Sequence, residues 1–591
     1  MGPDDPPERS VRVLCDVPAV ERAFDYALPA AMAGSVEVGT VVRVPLHGRR
    51  VRGWVLDPDS VPPPGVRLSP VAKVSGHGPD AATIDLCRWV GWRWAGRLPT
   101  VLRVATPDRA VHSVGAPVAR GPAERVMHPC VTEALARGAG VHVVRLAPAE
   151  DPVPVALALA GIGQCLVVHP SVVTFERIGR ALRRSGAAVC RWPRDWAASA
   201  SGATVVGGRA TVFAPAPLLA AVVVFDEHDE GLQNESSPTW HAREVAVERA
   251  RRAGVPCLLV SPAPSPEALA AATGPVIATD RARERAGWAT VQVVDRRSED
   301  TGRTGLFSPE LVRAAREELE VGGRVVAVLN RTGRARLLAC RSCGSVAECE
   351  RCGAAVHLTD QLLLECGHCG ATRPGVCLEC GSTALSVLRP GVGRAREELE
   401  ALLRVPVEAV TGAAPAGPGP DRTVDGAAAV IGTEAVLHRV ERAGLVAFLD
   451  MDQELLAPRY RAAEEALGLL VLASRVVGGR SGRVLVQTRR PDHEALRAAV
   501  GADPAPFAAA EAARRDLLGF PPSATIAVVG GEAAPEFVER LGRPLGVDVL
   551  GPDEGRWLLR ARDRAVLLDA LAAVDRPSGR LRLRVDPVRL H

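Results

Sequence analysis

Residues 340–380 read CRSCGSVAECERCGAAVHLTDQLLLECGHCGATRPGVCLEC and contain four Cys-x-x-Cys pairs, Cys340/Cys343, Cys349/Cys352, Cys366/Cys369 and Cys377/Cys380. Two cysteines at this spacing sit on one tight turn and can face one metal, and eight thiolates suffice for two tetrahedral, all-sulfur zinc sites. Filled coordination spheres make such sites structural rather than catalytic. Between Cys352 and Cys366, residues 356–364 read as two short strands around Thr359-Asp360, and a hairpin brings its bases together. The expected arrangement is therefore nested. Cys349, Cys352, Cys366 and Cys369 share one ion, and Cys340, Cys343, Cys377 and Cys380 share the other. The rival arrangement must close two pairs across residues 344–348 alone, a tight span. Disulfides and iron–sulfur clusters are the competing uses of such thiols. The start Met1-Gly2-Pro3-Asp4-Asp5 has neither the basic nor the apolar part of an export signal, which favours a reducing compartment and zinc.

A chain of 591 residues is too long for one core, and 47% hydrophobic content indicates folded domains. No apolar run is long enough to span a bilayer, so the expectation is a cytoplasmic protein without a membrane partner. The formal charge of +4 falls to about zero once two zinc ions are held by eight thiolates, so net charge alone names no partner. Lys73 is the only lysine. Cys15, Cys87, Cys130, Cys165, Cys190 and Cys257 are scattered and read as core thiols.

Outward from the cysteines, the pattern changes several times. Short strands at 12–16, 24–28, 41–45 and 51–56 indicate a small barrel or sandwich, followed by a helix carrying Trp89, Trp92 and Trp94. Phe24 and Tyr26 share one strand face with Asp25 opposite. They read either as two core aromatics or as a pocket where a base stacks and a carboxylate reads its edge. Residues 108–140 offer one helix, 130–137, in a connector. From 141 to 271, β-branched runs alternate with helical runs as in a parallel α/β sheet, with strands at 141–146, 165–168, 203–206, 221–225 and 257–260. A helix capped by Ser308 and Pro309 runs to Glu320. A second α/β pattern begins at 325–329, is interrupted by the cysteines, and resumes with a helix at 394–403 and strands at 428–431, 445–449 and 483–488. The region from about 492 is α+β and ends in a strand, 580–585, with one apolar and one arginine face.

The run Leu329-Asn330-Arg331-Thr332-Gly333-Arg334-Ala335-Arg336-Leu337-Leu338 before the cysteines resembles the PriA replication-restart family, also called primosomal protein N-prime. Phe24-Asp25-Tyr26, Val223 to Asp229 with His241-Ala242-Arg243, Gly391-Val392-Gly393, Pro458 to Glu464 and Val585-Asp586-Pro587 are similar too. The resemblance implies a multidomain fold: a small β-rich N-terminal domain holding the DNA 3′ end (1–107), a connector (108–140) and a first helicase-like α/β lobe (141–299). A second lobe (300–337 and 389–490), a zinc-binding insertion (338–388) and an α+β C-terminal DNA-binding domain (491–591) follow. Phe24, Asp25 and Tyr26 would line the 3′-end pocket. Arg331, Arg334 and Arg336 are candidate phosphate contacts, although an arginine-rich turn is as often a solvated surface. The family's winged-helix domain has no recognisable counterpart in 108–140.

The departures bear on the chemistry. A P-loop supplies glycines, a lysine and a Ser/Thr to triphosphate and magnesium. After the strand 141–146 this chain has Ala147-Pro148-Ala149-Glu150-Asp151-Pro152, whose carboxylates repel triphosphate and whose prolines lack donors. Asp226 and Glu227 resemble a degenerate Walker B end. Where an arginine finger belongs, an ungapped reading offers Arg475 and a shifted one offers 479–483. Asp450 and Asp452 read as polar strand-end residues. The expectation is two Zn2+ ions, no catalytic residues, and doubtful use of ATP and Mg2+. The protein would be a nucleoid-associated replication-restart initiator that binds and remodels abandoned forks and promotes primosome assembly without unwinding DNA. Its partners would be forked or branched DNA, primosome proteins and the replicative helicase, with single-stranded-DNA-binding protein a further candidate. The alternatives are an active ATP-dependent 3′ to 5′ helicase and a zinc-ribbon adaptor that binds only protein.

Overall fold

The computed structural model describes residues 9–17, 20–298, 305–329, 338–351, 353–359, 362–367, 369–387, 392–410 and 426–590. Arg331, Arg334, Arg336 and Cys352 lie outside the described residues.

The N-terminal domain is a five-stranded antiparallel sheet in the order Phe24–Ala27, Ser10–Cys15, Arg49–Asp57, Val41–Leu46, Lys73–Gly76. His47 and Gly48 form the two-residue turn between Leu46 and Arg49, both with positive φ (46° and 76°), as a tight hairpin with right-handed twist requires. Ala27 bridges to Pro70 and Ala72 donates to the Arg43 carbonyl, so one segment links the two sides of the sheet. One face buries Val11, Val13, Val42 and Val55. The other presents Leu14 and Trp54 to the helices Ala81–Arg93 and Leu98–Ala105, with Trp54 Nε1 donating to Thr106 Oγ1 at 2.8 Å.

Two parallel sheets follow. The first has seven strands, ordered Ile277–Ala278, Gly140–Arg145, Pro256–Ser261, Leu219–Phe225, Gln164–Val168, Thr204–Gly207, Val189–Arg191. Its central strands are buried on both faces, the reason they read as unbroken β-branched runs. The second has six strands, ordered Thr290–Asp295, Arg483–Thr488, Leu445–Phe448, Val325–Val328, Ala429–Gly432, Val407–Val410.

Two boundaries move. Thr290–Asp295 falls in the range expected for the first lobe, yet it pairs along its whole length with Arg483–Thr488 and belongs to the second sheet. Its backbone completes the edge of that sheet, and Arg296 N extends the ladder to the Thr488 carbonyl. The helix Glu494–Gly501, expected in the C-terminal region, buries Leu496 and Ala499 in the second sheet's core. Its apolar face is satisfied there, before the C-terminal sheet begins.

That last sheet is antiparallel, ordered Asp548–Asp553, Arg556–Ala561, Thr525–Gly530, Arg582–Val585, with Leu583 and Val585 inward and Arg582 outward. Its core is continuous with that of the first parallel sheet and the Trp-bearing helix. Arg93, fully buried, donates to Glu244 (3.0 Å) and to Asp586 (2.6 Å) and so ties three regions distant in sequence.

Candidate metal centre and interlobe cleft

The four cysteine pairs fold alike. In each, the glycine after the second cysteine is left-handed, with φ of 76°, 71°, 68° and 70° at Gly344, Gly353, Gly370 and Gly381. Each of these glycines donates to the carbonyl of the first cysteine of its pair at 2.8–3.0 Å. A side chain is strained at such φ, so Cys-x-x-Cys-Gly is the full signal of the turn, legible in the sequence but not in the cysteine spacing alone. The strands Val356–Leu358 and Leu363–Cys366 pair antiparallel, with Thr372–Pro374 as a third strand, while Leu338–Cys340 pairs with Leu385–Val387.

The outer pairs meet. Cys340 Sγ is 3.5 Å from Cys380 Sγ and Cys343 Sγ 3.5 Å from Cys377 Sγ, and the four sulfurs lie within 4.8 Å of one another. The described inner cysteines, Cys349, Cys366 and Cys369, form a second group within the same limit, with Cys349 Sγ 3.5 Å from Cys369 Sγ. Bonds of about 2.3 Å to a tetrahedral ion place sulfurs about 3.8 Å apart, so both groups have the size of a metal site. Burial alone would raise the Cys340 thiol, but the N–H groups of Cys343 and Ser342 outweigh it and bring it down to about 6. The module rests on the second lobe through Ala355 N donating to the Leu456 carbonyl at 3.0 Å and Arg490 paired with Glu348 at 2.5 Å.

At the end of Gly140–Arg145, the turn 147–152 spends its own donors. Ala149 N donates to Gly287, Glu150 N to Ala147, and Val153 N to Asp151 Oδ1. Pro148, Pro152 and Pro154 have none. Glu150 and Asp151 are paired with Arg283 (3.0 Å) and Arg177 (3.1 Å). No cradle of N–H groups for phosphate remains at this turn.

The space beside it is bridged. Arg475, in the last turn of helix Ala462–Val476, crosses from the second lobe and donates from Nη1 and Nη2 to the two oxygens of Asp226 at 2.8 and 2.9 Å, and from Nε to the Pro148 carbonyl at 3.1 Å. Burial would raise the Asp226 carboxyl, but Arg475 and then His169 hold it below the usual carboxylate range. Glu227, fully buried, accepts from Ser265 N and Oγ (2.8 Å each) and from Arg243 Nη1 (3.1 Å). The ungapped reading thus picks the arginine that reaches the cleft. Gly479 packs against the turn, since a Cβ there would sit 2.5 Å from the Ala286 carbonyl oxygen. Asp452 is buried and accepts from the Thr488 hydroxyl and Arg489 N; burial, then Asp450, pushes it up to about 6.

In the N-terminal sheet, Tyr26 is 4% exposed and its hydroxyl donates to the Pro45 carbonyl at 3.2 Å. Asp25 accepts from Arg12 at 3.0 and 3.3 Å. Phe24 is half-buried, with the Arg22 guanidinium 4.8 Å from its ring centre. Of the three, only Phe24 offers part of a ring for stacking; Tyr26 is spent on the core.

Residues 12–107 match the family of the 3′DNA-binding domain (3′BD), which places a nucleic-acid-binding type of domain at the head of this α/β chain. Over 91% of its length the chain is 29% identical to the probable replication restart protein PriA of Mycobacterium leprae, covering 90% of that protein. It is 30% identical to replication restart protein PriA of Bacillus subtilis over 344 residues and of Thermotoga maritima over 389, spanning 43% and 52% of those chains. The chain is a relative of the replication restart protein PriA, the family its motifs resemble. Among the described residues no helix is long and apolar enough to cross a membrane.

Proposed function

We propose that this chain is a replication-restart initiator. It binds stalled or abandoned forks, holds the nascent 3′ end, remodels the fork and promotes primosome assembly and loading of the replicative helicase, without a motor of its own. The match of residues 12–107 to a 3′DNA-binding domain carries the reading. The phosphate-poor turn 147–152 and the Arg475–Asp226 bridge support the absence of a motor. The two parallel sheets act as degenerate helicase-like lobes, and the C-terminal sheet adds a second DNA contact through its arginine face. The cysteine module binds two Zn2+ ions, with Cys352 completing the inner set.

Two measurements test this. Fork DNA with a free 3′ end is expected to bind more tightly than the same fork with that end blocked. Phe24→Ala is expected to abolish the preference, about a fivefold to hundredfold loss, because one base–aromatic stack contributes about 1–3 kcal/mol. Equal binding of both forks by the wild type removes the 3′-end claim, and equal binding of forked and duplex DNA favours the protein-only adaptor. Metal analysis is expected to find two zinc ions per chain, and the Cys340→Ser/Cys377→Ser double variant to retain one. A wild-type chain with less than one zinc refutes the assignment.

A further inference from the structure

A cavity of about 280 Å3 lies between the two parallel sheets, bordered by the C-terminal segment at Val588 and Arg589, and the fork-binding proposal does not use it. Glu454, from the helix Asp452–Leu455, and Glu465, from Ala462–Val476, both line it. They share one guanidinium: Arg459 Nη2 donates to Glu454 Oε2 at 3.0 Å, and its Nη1 is 2.7 Å from Glu465 Oε2. The remaining oxygen of each, Oε1, is buried and accepts no hydrogen bond. Glu454 is only 4% exposed.

A buried carboxylate oxygen without a donor is costly, and two carboxylates against one guanidinium leave a negative charge. Burial, with Glu230 and Glu454 adding to it, pushes the Glu465 carboxyl up to about 7 although Arg459 opposes this. A cation with N–H donors satisfies both defects. A bare divalent ion fits poorly, since among the described residues only the cysteine groups bring three ligand atoms within 4.8 Å of one another. The lining also offers Leu472, Pro504 and Phe507, an apolar surface for methylene groups. No lysine of the chain itself fills the space, because Lys73 lies in the N-terminal sheet.

We propose that this cavity binds a short aliphatic diamine or the end of a linear polyamine, one ammonium donating to Glu454 Oε1 and Glu465 Oε1 while the methylenes lie against Leu472 and Phe507. The site is independent of DNA binding, so its test and that of the proposed function stand or fall separately. Putrescine titrated into the full-length protein at pH 8, against a NaCl reference of equal ionic strength, is expected to give a saturable heat with one site per chain. Glu454→Gln and Glu465→Gln are each expected to weaken binding at least about tenfold, since each replaces a charge-assisted hydrogen bond with a neutral one. Circular dichroism confirms that both variants are folded. Absence of saturable binding by the wild type, unchanged affinity in folded variants, or equal competition by MgCl2 at the same ionic strength overturns the proposal.

Discussion

Mixed with forked DNA, ATP and magnesium, the protein is expected to release phosphate no faster than its Asp226→Ala and Glu227→Ala variants, which themselves stay at the background of a protein-free control. Phosphoryl transfer is accelerated almost wholly by positioned cations and donors around the phosphates, and one arginine finger alone is worth about 10³–10⁵ in rate. Here the lysine is absent from the sequence. The N–H groups of Ala149 and Glu150 are engaged within the protein, and Glu150 and Asp151 bring negative charge to the place where a triphosphate would lie. Arg475, the one arginine held at the cleft in this geometry, already has an anion in Asp226. Its release should not restore turnover: Arg475→Ala frees the carboxylate but creates no donor at 147–152. Robust hydrolysis by the wild type that disappears on mutating Asp226 or Glu227 would sink the non-motor reading.

The second large effect is on stability. Arg515→Met is expected to destabilise the contact between lobes and C-terminal region by about 3–5 kcal/mol, the usual result of removing one partner from a buried ionic cluster. Arg515 is 1% exposed and donates to Glu511 at 2.8 Å, to Glu267 at 3.1 Å, to Glu464 and to the Pro521 carbonyl at 3.2 Å. Its guanidinium also lies 5.2 Å from the Tyr460 ring, which stacks on Phe520. Glu267 belongs to the first lobe, Glu464 to the second, and Arg515 to the helix Ala505–Leu518, so one side chain joins three segments. Arg461, paired with Glu267 and Glu464, would be left to neutralise them alone. Because a chain of several domains does not unfold in two states, hydrogen exchange of the helix Pro266–Ala271 is the appropriate readout. Protection there within about 0.5 kcal/mol of wild type would contradict the argument.

The cluster also has a pH signature. Burial would raise Glu267, but Arg461 and Arg515 outweigh it and hold its carboxyl down at about 2, against an ordinary 4.5. A depressed carboxyl stabilises the fold above the unfolded value and loses that contribution as pH falls through the folded one. The Glu267 share of the difference between wild type and Arg515→Met should therefore be full above pH 4.5 and fade toward about pH 2.

Much of this protein could be read locally. The knuckle turns follow from Cys-x-x-Cys-Gly, the central parallel strands from runs such as Ala221 to Phe225, and the hairpin at His47-Gly48 from flanking apolar alternation. The lack of a lysine for phosphate is a property of composition, independent of any fold. Each depends on residues within a few positions of one another, where periodicity and backbone preference act directly. Only the tertiary structure decided which partners these elements took. Thr290–Asp295 has a strand's sequence, but nothing in its own residues says which of two sheets will accept its backbone. Tyr26 alternates correctly with Asp25, yet whether that face meets a ligand or a core depended on Cys15 and Pro45. The meeting of Arg475 with Asp226, and of Glu454 with Glu465 around Arg459 at a cavity bordered by three parts of the chain, required the lobes to be packed. Charge pairing and burial are set by distances through space, which a linear pattern does not contain.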